Sequence, residues 1–278
     1  MRIALFQGRS GIDPAANAEQ LIGAVREAKT GGAAMLFTPE MSGMLDRDRQ
    51  RALGKARFES EDEVLAAVRS AAREQAIWVH IGSLALRTSD GDKLSNRGFV
   101  IDDRGEIRAR YDKIHLFDVD LASGESWRES ALYAAGAAAV VVTGTPVGTL
   151  GLAICYDLRF GGLFERLSQA GADVIAVPAA FTVPTGEAHW SILLRARAIE
   201  AQAFVVAAAQ AGVHEDGRET YGHSLVADPW GAIVVELDTT PGVTFVELDL
   251  DRIAEVRARI PMLAHRRAIG RIEKADSN

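Results

Sequence analysis

The stretch VGTLGLAICYDLRFGGLFERL, residues 147–167, carries the pattern on which the fold prediction rests. Small and apolar residues follow one another from 147 to 154, as in a buried strand, and they end at Cys155, the only cysteine of the chain. A helical pattern of apolar residues begins a few positions later, at 164–170. The stretch therefore predicts a strand that delivers Cys155 to a turn leading into a helix.

The same alternation of apolar runs and helix-period segments continues along the whole chain. Hairpins are predicted where Asp103-Arg104-Gly105 and residues 228–231 separate apolar runs. Strands mixed with helices and hairpins indicate a layered α/β domain, and no Pro/Ser-rich linker divides it. The predicted strands are residues 1–6, 33–38, 76–86, 96–102, 106–111, 140–142, 147–154, 174–178, 204–209, 224–227, 232–237 and 243–248, and the predicted helices are residues 16–29, 62–74, 164–170, 189–203 and 252–259.

Composition disfavours several classes of protein. Lys+Arg 31 against Asp+Glu 38 gives a net charge of −7, and a mildly acidic surface is unsuited to binding nucleic acid. No apolar run approaches the ~18 residues that span a bilayer, so we expect no membrane association. A single cysteine excludes an intrachain disulfide and sites built on several thiolates, and we expect a cytoplasmic location.

The sequence gives no support for a metal or a nucleotide cofactor. None of the six histidines has His-x-x-x-His or Glu-x-x-His spacing. Neither the Gly-x-x-x-x-Gly-Lys phosphate loop nor the Gly-x-Gly-x-x-Gly turn occurs. GHSLV at residues 222–226 lacks the last glycine of a serine nucleophile elbow, whereas a papain-like pairing of Cys155 with a histidine stays open.

Two interpretations of Cys155 are open from its position alone. A lone cysteine is commonly a small apolar core residue. At a strand-to-helix elbow, amide dipoles would instead lower the pKa of the thiol and supply oxyanion donors. A thiol nucleophile also needs a base and a proton donor, and Glu40 and Lys113 each end a predicted strand, where sites of α/β sheets gather. Either residue is equally compatible with an ordinary surface position.

Five segments, in order, resemble the nitrilase superfamily of carbon–nitrogen hydrolases. They are FTPEM (37–41), YDKIHLFD (111–118), GLAICYDLRF (151–160), HWSILLRARAIEAQAFVVAAAQ (189–210) and YGHSLVADPWG (221–231). The similarity extends from MRIALFQ at residue 1 to HRR at residues 265–267. It is closest to the branch that holds deaminated-glutathione amidases and omega-amidases.

The resemblance implies a four-layer α-β-β-α sandwich of the nitrilase type over residues 1–270, followed by a polar tail at 271–278. It also implies a homodimer or larger homo-oligomer, and a Glu–Lys–Cys triad that falls on Glu40, Lys113 and Cys155. A second glutamate of the family falls on Glu125 or Glu129, and the Glu-Ser pair favours Glu129. No cofactor and no metal are expected.

Several positions beside the matched motifs are candidates for substrate binding, although each is equally compatible with a place in the core. They are Tyr156, Phe117, Phe181, Thr182 and His189. The chain departs from the family where Gly161-Gly162 stand in place of the usual Pro-Glu, and where Ala122-Ser123 stand in place of Pro-Gly. The second departure leaves the specificity contacts of its loop undefined.

The resemblance thus predicts an amidase that uses water to release ammonia from a small carboxylate-bearing ω-amide, of the deaminated-glutathione or 2-oxoglutaramate type. Cys155 would form a thioester after Glu40 takes its proton, while Lys113 and the backbone amide of Tyr156 stabilise the oxyanion. Glu129 would orient Lys113. The alternatives are hydrolysis of N-carbamoyl amino acids, β-ureidopropionate or nitriles, and a non-catalytic scaffold homologue.

Overall fold

The structure is a computed structural model that describes residues 1–89, 91, 93–120, 124 and 126–274. It contains two large β-sheets and two separate hairpins. The first sheet comprises β1 (Arg2–Gln7), β2 (Met35–Phe37), β3 (Trp78–Arg87), β4 (Leu94–Ile101), β5 (Ile107–Asp112), β8 (Tyr133–Ala134) and β17 (Gly242–Glu247). The second comprises β9 (Val140–Thr145), β10 (Gly148–Leu152), β11 (Val174–Ala176), β12 (Phe204–Ala207), β15 (Leu225–Ala227) and β16 (Ile233–Glu236). The hairpins pair β6 (Asp118–Asp120) with β7 (Ser126–Arg128), and β13 (Ala211–Val213) with β14 (Glu219–Tyr221).

Each sheet has a parallel centre and antiparallel edges. The first sheet runs in the order β17-β1-β2-β3-β4-β5, with β8 beside β4, and the second in the order β16-β15-β12-β11-β10-β9. Strands β1, β2 and β3 are parallel, as are β10, β11 and β12. Because parallel strands end at the same edge of a sheet, the loops that follow them lie together.

Helices cover the outer face of each sheet. Helices α1 (Pro14–Thr30) and α3 (Glu63–Gln75) pack together and against β2 and β3, while α4 (Gly161–Gln169) and α5 (Val183–Ala201) pack against β10, β12 and β15. The remaining helices are α2 (Arg49–Lys55), α6 (Asp251–Arg259) and α7 (Met262–His265). The resulting order of layers, helices, sheet, sheet and helices, confirms the predicted α-β-β-α sandwich.

The alternation of side chains along β1 and β2 shows how the layers form. Ile3, Leu5 and Phe37 point into the core between the two sheets, whereas Ala4 and Leu36 point into the cluster formed with α1 and α3. All five are buried, so these parallel strands are apolar on both faces. Burial on both faces explains why they are visible in the sequence as continuous apolar runs.

Differences from the sequence prediction occur mainly at element boundaries. Helix α5 begins at Val183 rather than at residue 189, with Pro184 in its first turn, where the missing N–H needs no helical partner. The two hairpins and α2 were not predicted, because each is too short to show a period. Residues 271–274 have no regular secondary structure and residues 275–278 lie outside the described part, so the tail boundary stays a prediction.

No helix within the described ranges is sufficiently long and apolar to cross a bilayer.

Candidate active site

The predicted catalytic side chains lie at the ends of three strands. Glu40 follows β2 after a short loop, Lys113 comes directly after β5, and Cys155 follows β10. Strands β2 and β5 belong to the first sheet and β10 to the second. The backbone amide of Ala180, in the loop after β11, donates to Oε2 of Glu40 across 3.0 Å and so connects the two sheets. The site is therefore built across the interface between the sheets.

The ammonium group of Lys113 lies between two carboxylates. Its Nζ is 2.8 Å from Oε1 of Glu40 and 2.9 Å from Oε2 of Glu129. The Lys113 side chain is only 2% exposed, that of Glu40 5% and that of Glu129 13%. Oε2 of Glu129 also accepts from the backbone N–H of Phe117 at 2.7 Å, which fixes the carboxylate against the loop after Lys113.

Asn96 is a member of this group that the sequence prediction missed. Its Nδ2 donates to Oε1 of Glu40 at 2.9 Å and to Oε1 of Glu129 at 3.1 Å, so one amide bridges both carboxylates. Its Oδ1 is buried without a hydrogen-bond partner among the described residues. The available signal was a polar residue inside the otherwise buried strand β4, since buried polar groups need a partner.

Burial and charge set the protonation states of these groups. Burial opposes the charged form of Glu40, but the adjacent Lys113 ammonium outweighs it and holds the pKa of Glu40 below its ordinary 4.5. Burial, followed by the negative charge of Glu40, raises the pKa of the Cys155 thiol well above its ordinary 9.0. Burial alone would lower the pKa of Lys113, yet the charges of Glu129 and Glu40 raise it well above 10.5. At neutral pH the site therefore holds a carboxylate, a thiol and an ammonium.

Cys155 occupies a strained backbone position. Its φ of +48° lies in the left-handed region, which costs a non-glycine residue about 1–2 kcal/mol, and its N–H donates to the carbonyl of Pro178 at 2.9 Å. A short 3₁₀ turn, Cys155–Arg159, comes between the strand and α4, so the predicted elbow is present with an extra turn. Desolvation outweighs any lowering of the thiol pKa by the turn amides, and the thiol needs a base.

Asp157 holds this turn against the first sheet. It is fully buried, and its Oδ2 accepts from the backbone N–H of Ile154 at 2.9 Å and from the hydroxyl of Tyr111 at 2.7 Å. Its Oδ1 accepts from the backbone N–H of His115 at 3.0 Å. Because Tyr111 and His115 flank Lys113 in sequence, one carboxylate fixes the turn of Cys155 relative to the lysine.

A cavity of about 440 Å³ opens above the triad, and Glu40, Lys113, Glu129 and Cys155 all line it. Four of the predicted substrate-binding residues also line it: Phe117, Tyr156, Phe181 and Thr182.

His189 is not among the described residues that line the cavity; its Nδ1 lies 3.3 Å from Nη1 of Arg159. The guanidinium of Arg159 in turn lies over the Tyr156 and Phe181 rings, at 5.8 and 5.5 Å from their centroids.

One of the two departures from the family pattern, Gly161-Gly162, lies within the described residues. Gly161 begins α4, and a Cβ there would come within 3.4 Å of the Arg197 guanidinium, which also bonds the Leu158 carbonyl and Glu200. Glu125 and the Ala122-Ser123 pair lie outside the described residues.

No group of three or more His, Cys, Asp or Glu side chains suited to a metal ion occurs in the part of the chain that the structure describes.

Sequence and structure comparisons identify the family. Residues 2–258 match the family model of carbon-nitrogen hydrolases, and the chain belongs to this family, within the nitrilase superfamily, as an amidase. It is 38% identical over 269 residues to the deaminated glutathione amidase of Yersinia enterocolitica, an alignment that covers 96% of this chain and 93% of the relative.

Solved structures give the same result. The NitFhit protein of C. elegans superposes with a TM-score of 0.89 at 38% identity, over 96% of this chain and 65% of that one, so this chain spans only part of that relative. An amidase from Nesterenkonia has a TM-score of 0.77 at 27% identity, over 94% of this chain and 98% of that one. In that structure acrylamide has undergone Michael addition at the active-site cysteine.

Proposed function

We propose that the protein hydrolyses the ω-amide of a short 2-oxo acid through a thioester on Cys155. In the first step Glu40 accepts the thiol proton as the sulfur attacks the amide carbon. The negative charge that develops on the carbonyl oxygen is stabilised by Nζ of Lys113 and the backbone N–H of Tyr156, and losing one such donor costs about 3–4 kcal/mol of barrier. The protonation states of the resting site support these roles, because the base is charged and the nucleophile is protonated.

The tetrahedral intermediate then collapses with cleavage of the carbon–nitrogen bond. The proton on Glu40 passes to the departing nitrogen, which leaves as a neutral amine, and the acyl group stays on sulfur. Glu40 next removes a proton from water, whose oxygen attacks the thioester carbon. Sulfur leaves, recovers its proton, and the product is a carboxylic acid.

Glu129 acts in this scheme by holding Lys113 rather than by transferring protons. Its carboxylate accepts from Nζ of Lys113 and from the Phe117 amide, so it fixes both the ammonium and the loop that bears it. The observation that carries the proposal is the Lys113 ammonium, held between the buried Glu40 carboxylate and the partly buried Glu129 carboxylate in the same cavity as the cysteine.

The substrate class rests on the relatives, which are named deaminated glutathione amidases, and on the small size of the cavity. Deaminated glutathione carries its ω-amide on a dipeptide nitrogen, so its leaving group is a peptide amine, whereas 2-oxoglutaramate releases ammonia. The sequence-based expectation of ammonia therefore applies only to the second compound. Both substrates yield 2-oxoglutarate, which is the product to measure.

The test is a substrate panel with wild-type protein and Cys155→Ala. The panel contains deaminated glutathione, 2-oxoglutaramate, N-carbamoyl amino acids, β-ureidopropionate and nitriles, each followed by chromatography and mass spectrometry of the acid product. We expect 2-oxoglutarate from the first two compounds with wild type alone, and an acyl adduct on the intact protein after acid quenching. Preference for a carbamoyl compound or a nitrile would replace the substrate proposal, and equal turnover by Cys155→Ala would remove the thioester mechanism.

We further propose that the protein works as a cytoplasmic homodimer. Ile192 and Ile199 lie on one face of α5 and are 69% and 44% exposed, and Trp230, at the β15–β16 turn, is 48% exposed. A Cβ at Gly231 would contact Ile199, so the helix and the turn form one apolar surface. Large exposed apolar patches commonly mark interfaces. Light scattering coupled to gel filtration should give twice the monomer mass, and Ile192→Glu should reduce it.

A further inference from the structure

Two buried hydrogen-bond donors in the wall of the catalytic cavity have no acceptor within the described part of the chain. They are Nε of Arg218 and Nε1 of Trp127, and both residues line the cavity that contains Cys155. The Arg218 guanidinium carbon lies 4.7 Å from the centroid of the Trp127 ring, so the side chains form one stacked unit. Since buried donors are nearly always paired, two unpaired donors in one wall indicate a place for an acceptor from outside the protein.

The charge of Arg218 is also only weakly compensated. Its nearest carboxylate is Asp216, where Nη2 and Oδ2 are 3.6 Å apart. The two oxygens of Asp216 already accept from the backbone N–H groups of Arg47, at 2.8 Å, and of Arg218 itself, at 2.9 Å. The guanidinium therefore retains a positive charge and, at Nε, a donor without an acceptor among the described residues.

The charged groups beside Cys155 have the other sign of net charge. Glu40, Glu129 and Lys113 together carry a formal charge of −1, so an anionic group of a ligand is disfavoured beside Cys155 and favoured beside Arg218. Between the two ends lies Phe117, whose ring centroid is 5.1 Å from that of Tyr156 and 6.4 Å from that of Trp127. These rings offer an apolar surface for the carbon chain that joins the two polar ends of a substrate.

We propose that Arg218 and Trp127 form a carboxylate-binding subsite, in which Nε of Arg218 and Nε1 of Trp127 donate to a carboxylate carried by the amide substrate. The proposal deepens and rests on the proposed function, because it assigns the second polar end of the same substrate. The carboxylate belongs either to the 2-oxo acid side or to the leaving amine. The chemistry of the contact is the same, and experiment separates the two sources.

The first experiment measures binding without turnover. Iodoacetamide alkylates Cys155, the only cysteine, and the mass of the intact protein reports the rate of alkylation. The rate is measured with 2-oxoglutarate, which represents the acid side of the substrate, and with alanylglycine, which represents the amine side. The variants are Arg218→Gln, Arg218→Lys and Trp127→Phe. The matched control is Arg2→Gln, because Arg2 also lies over a ring, that of Phe245 at 5.0 Å, but does not line the cavity.

We expect one of the two ligands to slow the alkylation of Cys155 in wild type and in Arg2→Gln at the same ligand concentration. In Arg218→Gln the ligand concentration needed for the same protection should rise about 10-fold or more, because a charge-assisted hydrogen bond is lost. Trp127→Phe keeps the stacked ring and loses one donor, so its rise should be smaller, and Arg218→Lys should fall between wild type and Arg218→Gln. Unprotected alkylation rates and melting temperatures should match wild type, which a merely structural role of Arg218 would not allow.

Turnover separates failure of the subsite from failure of the proposed function. If Arg218→Gln raises KM for both 2-oxoglutaramate and deaminated glutathione, the subsite binds the carboxylate of the acid side. If it raises KM for deaminated glutathione alone, the subsite binds the carboxylate of the amine side. Unchanged KM values together with unchanged protection would overturn the subsite, as would a wild-type protein that neither ligand protects. If wild type hydrolyses neither amide, the proposed function fails, while the protection experiment still decides whether a carboxylate binds.

Discussion

Replacing Lys113 with methionine removes the cation between a buried carboxylate, Glu40, and a partly buried one, Glu129. Lys113 is 2% exposed and lies 2.8 Å from Glu40 and 2.9 Å from Glu129, so Lys113→Met leaves both carboxylates without their ionic partner. Breaking a buried ion pair on one side destabilises a protein by about 3–5 kcal/mol. At about 2–4 °C per kcal/mol for a chain of this size, the melting temperature should fall by about 6–20 °C.

The pH dependence of stability should change sign in this variant. In wild type the pKa of Glu40 is lowered, so its stabilising contribution is present above pH 4.5 and is lost as the pH falls through the folded-state value. Without Lys113, burial dominates and raises the carboxylate pKa, so the variant should gain stability as the pH falls and the carboxylates become protonated. Thermal melts of both proteins between pH 4 and pH 8 measure the two slopes.

Lys29→Met provides the matched control, because Lys29 is exposed and, among the described residues, its Nζ bonds only the carbonyl of Ala76. Its melting temperature should stay within about 1–2 °C of wild type, as for ordinary surface substitutions. If Lys113→Met melts like Lys29→Met and shows the wild-type pH slope, the ammonium does not compensate the two carboxylates, and the explanation of the low Glu40 pKa is wrong.

The remaining predictions concern the neighbours of the lysine. Glu40→Gln should lower the pKa of the Cys155 thiol, because the negative charge of Glu40 contributes to raising it. Titration of the thiolate absorbance near 240 nm measures this pKa, and a pKa above that of wild type would contradict the prediction. Tyr111→Phe should cost about 1.5–3 kcal/mol in urea unfolding, since it removes a 2.7 Å hydrogen bond to the buried Asp157 carboxylate, and an unchanged midpoint would refute that role. Asn96→Asp adds a third carboxylate beside Glu40 and should raise the pH of the acidic limb of the rate profile, whereas an unshifted limb would show that Asn96 has no influence on the base.

Strands buried on both faces were predictable from the sequence, because continuous apolar runs leave a clear signal. Residues 33–38 and 174–178 contain β2 and β11, and in both cases the prediction extended beyond the observed strand. The prediction ran too far because residues next to the strands are buried as well, Ala33 before β2 and Val177 after β11. Short hairpins such as β6–β7 give no such signal, because a strand of three residues cannot display a period.

The site was predictable only where a residue both ends a strand and belongs to a recognisable motif. Glu40, Lys113 and Cys155 met both conditions. Asn96 met neither condition, and Asp157 lies in a recognisable motif but does not end a strand. The importance of both lies in hydrogen bonds to residues far away in the chain, such as the Tyr111 bond to Asp157. Arg218 and Trp127 likewise come from two separate hairpins, and only the folded chain brings the guanidinium over the ring.

Because the candidate active site is divided between two sheets, enzymatic activity should depend strongly on how those sheets are aligned. Glu40 and Lys113 follow strands of one sheet and Cys155 follows a strand of the other, and hydrogen bonds of Ala180 and Asp157 join the two halves. A slip of about 1 Å between the layers would leave each sheet hydrogen-bonded and spectroscopically intact, yet would separate the proposed base from the proposed nucleophile. In mild denaturant, catalysis should consequently disappear before circular dichroism changes, so residual activity measures the quality of packing between layers rather than the amount of folded chain.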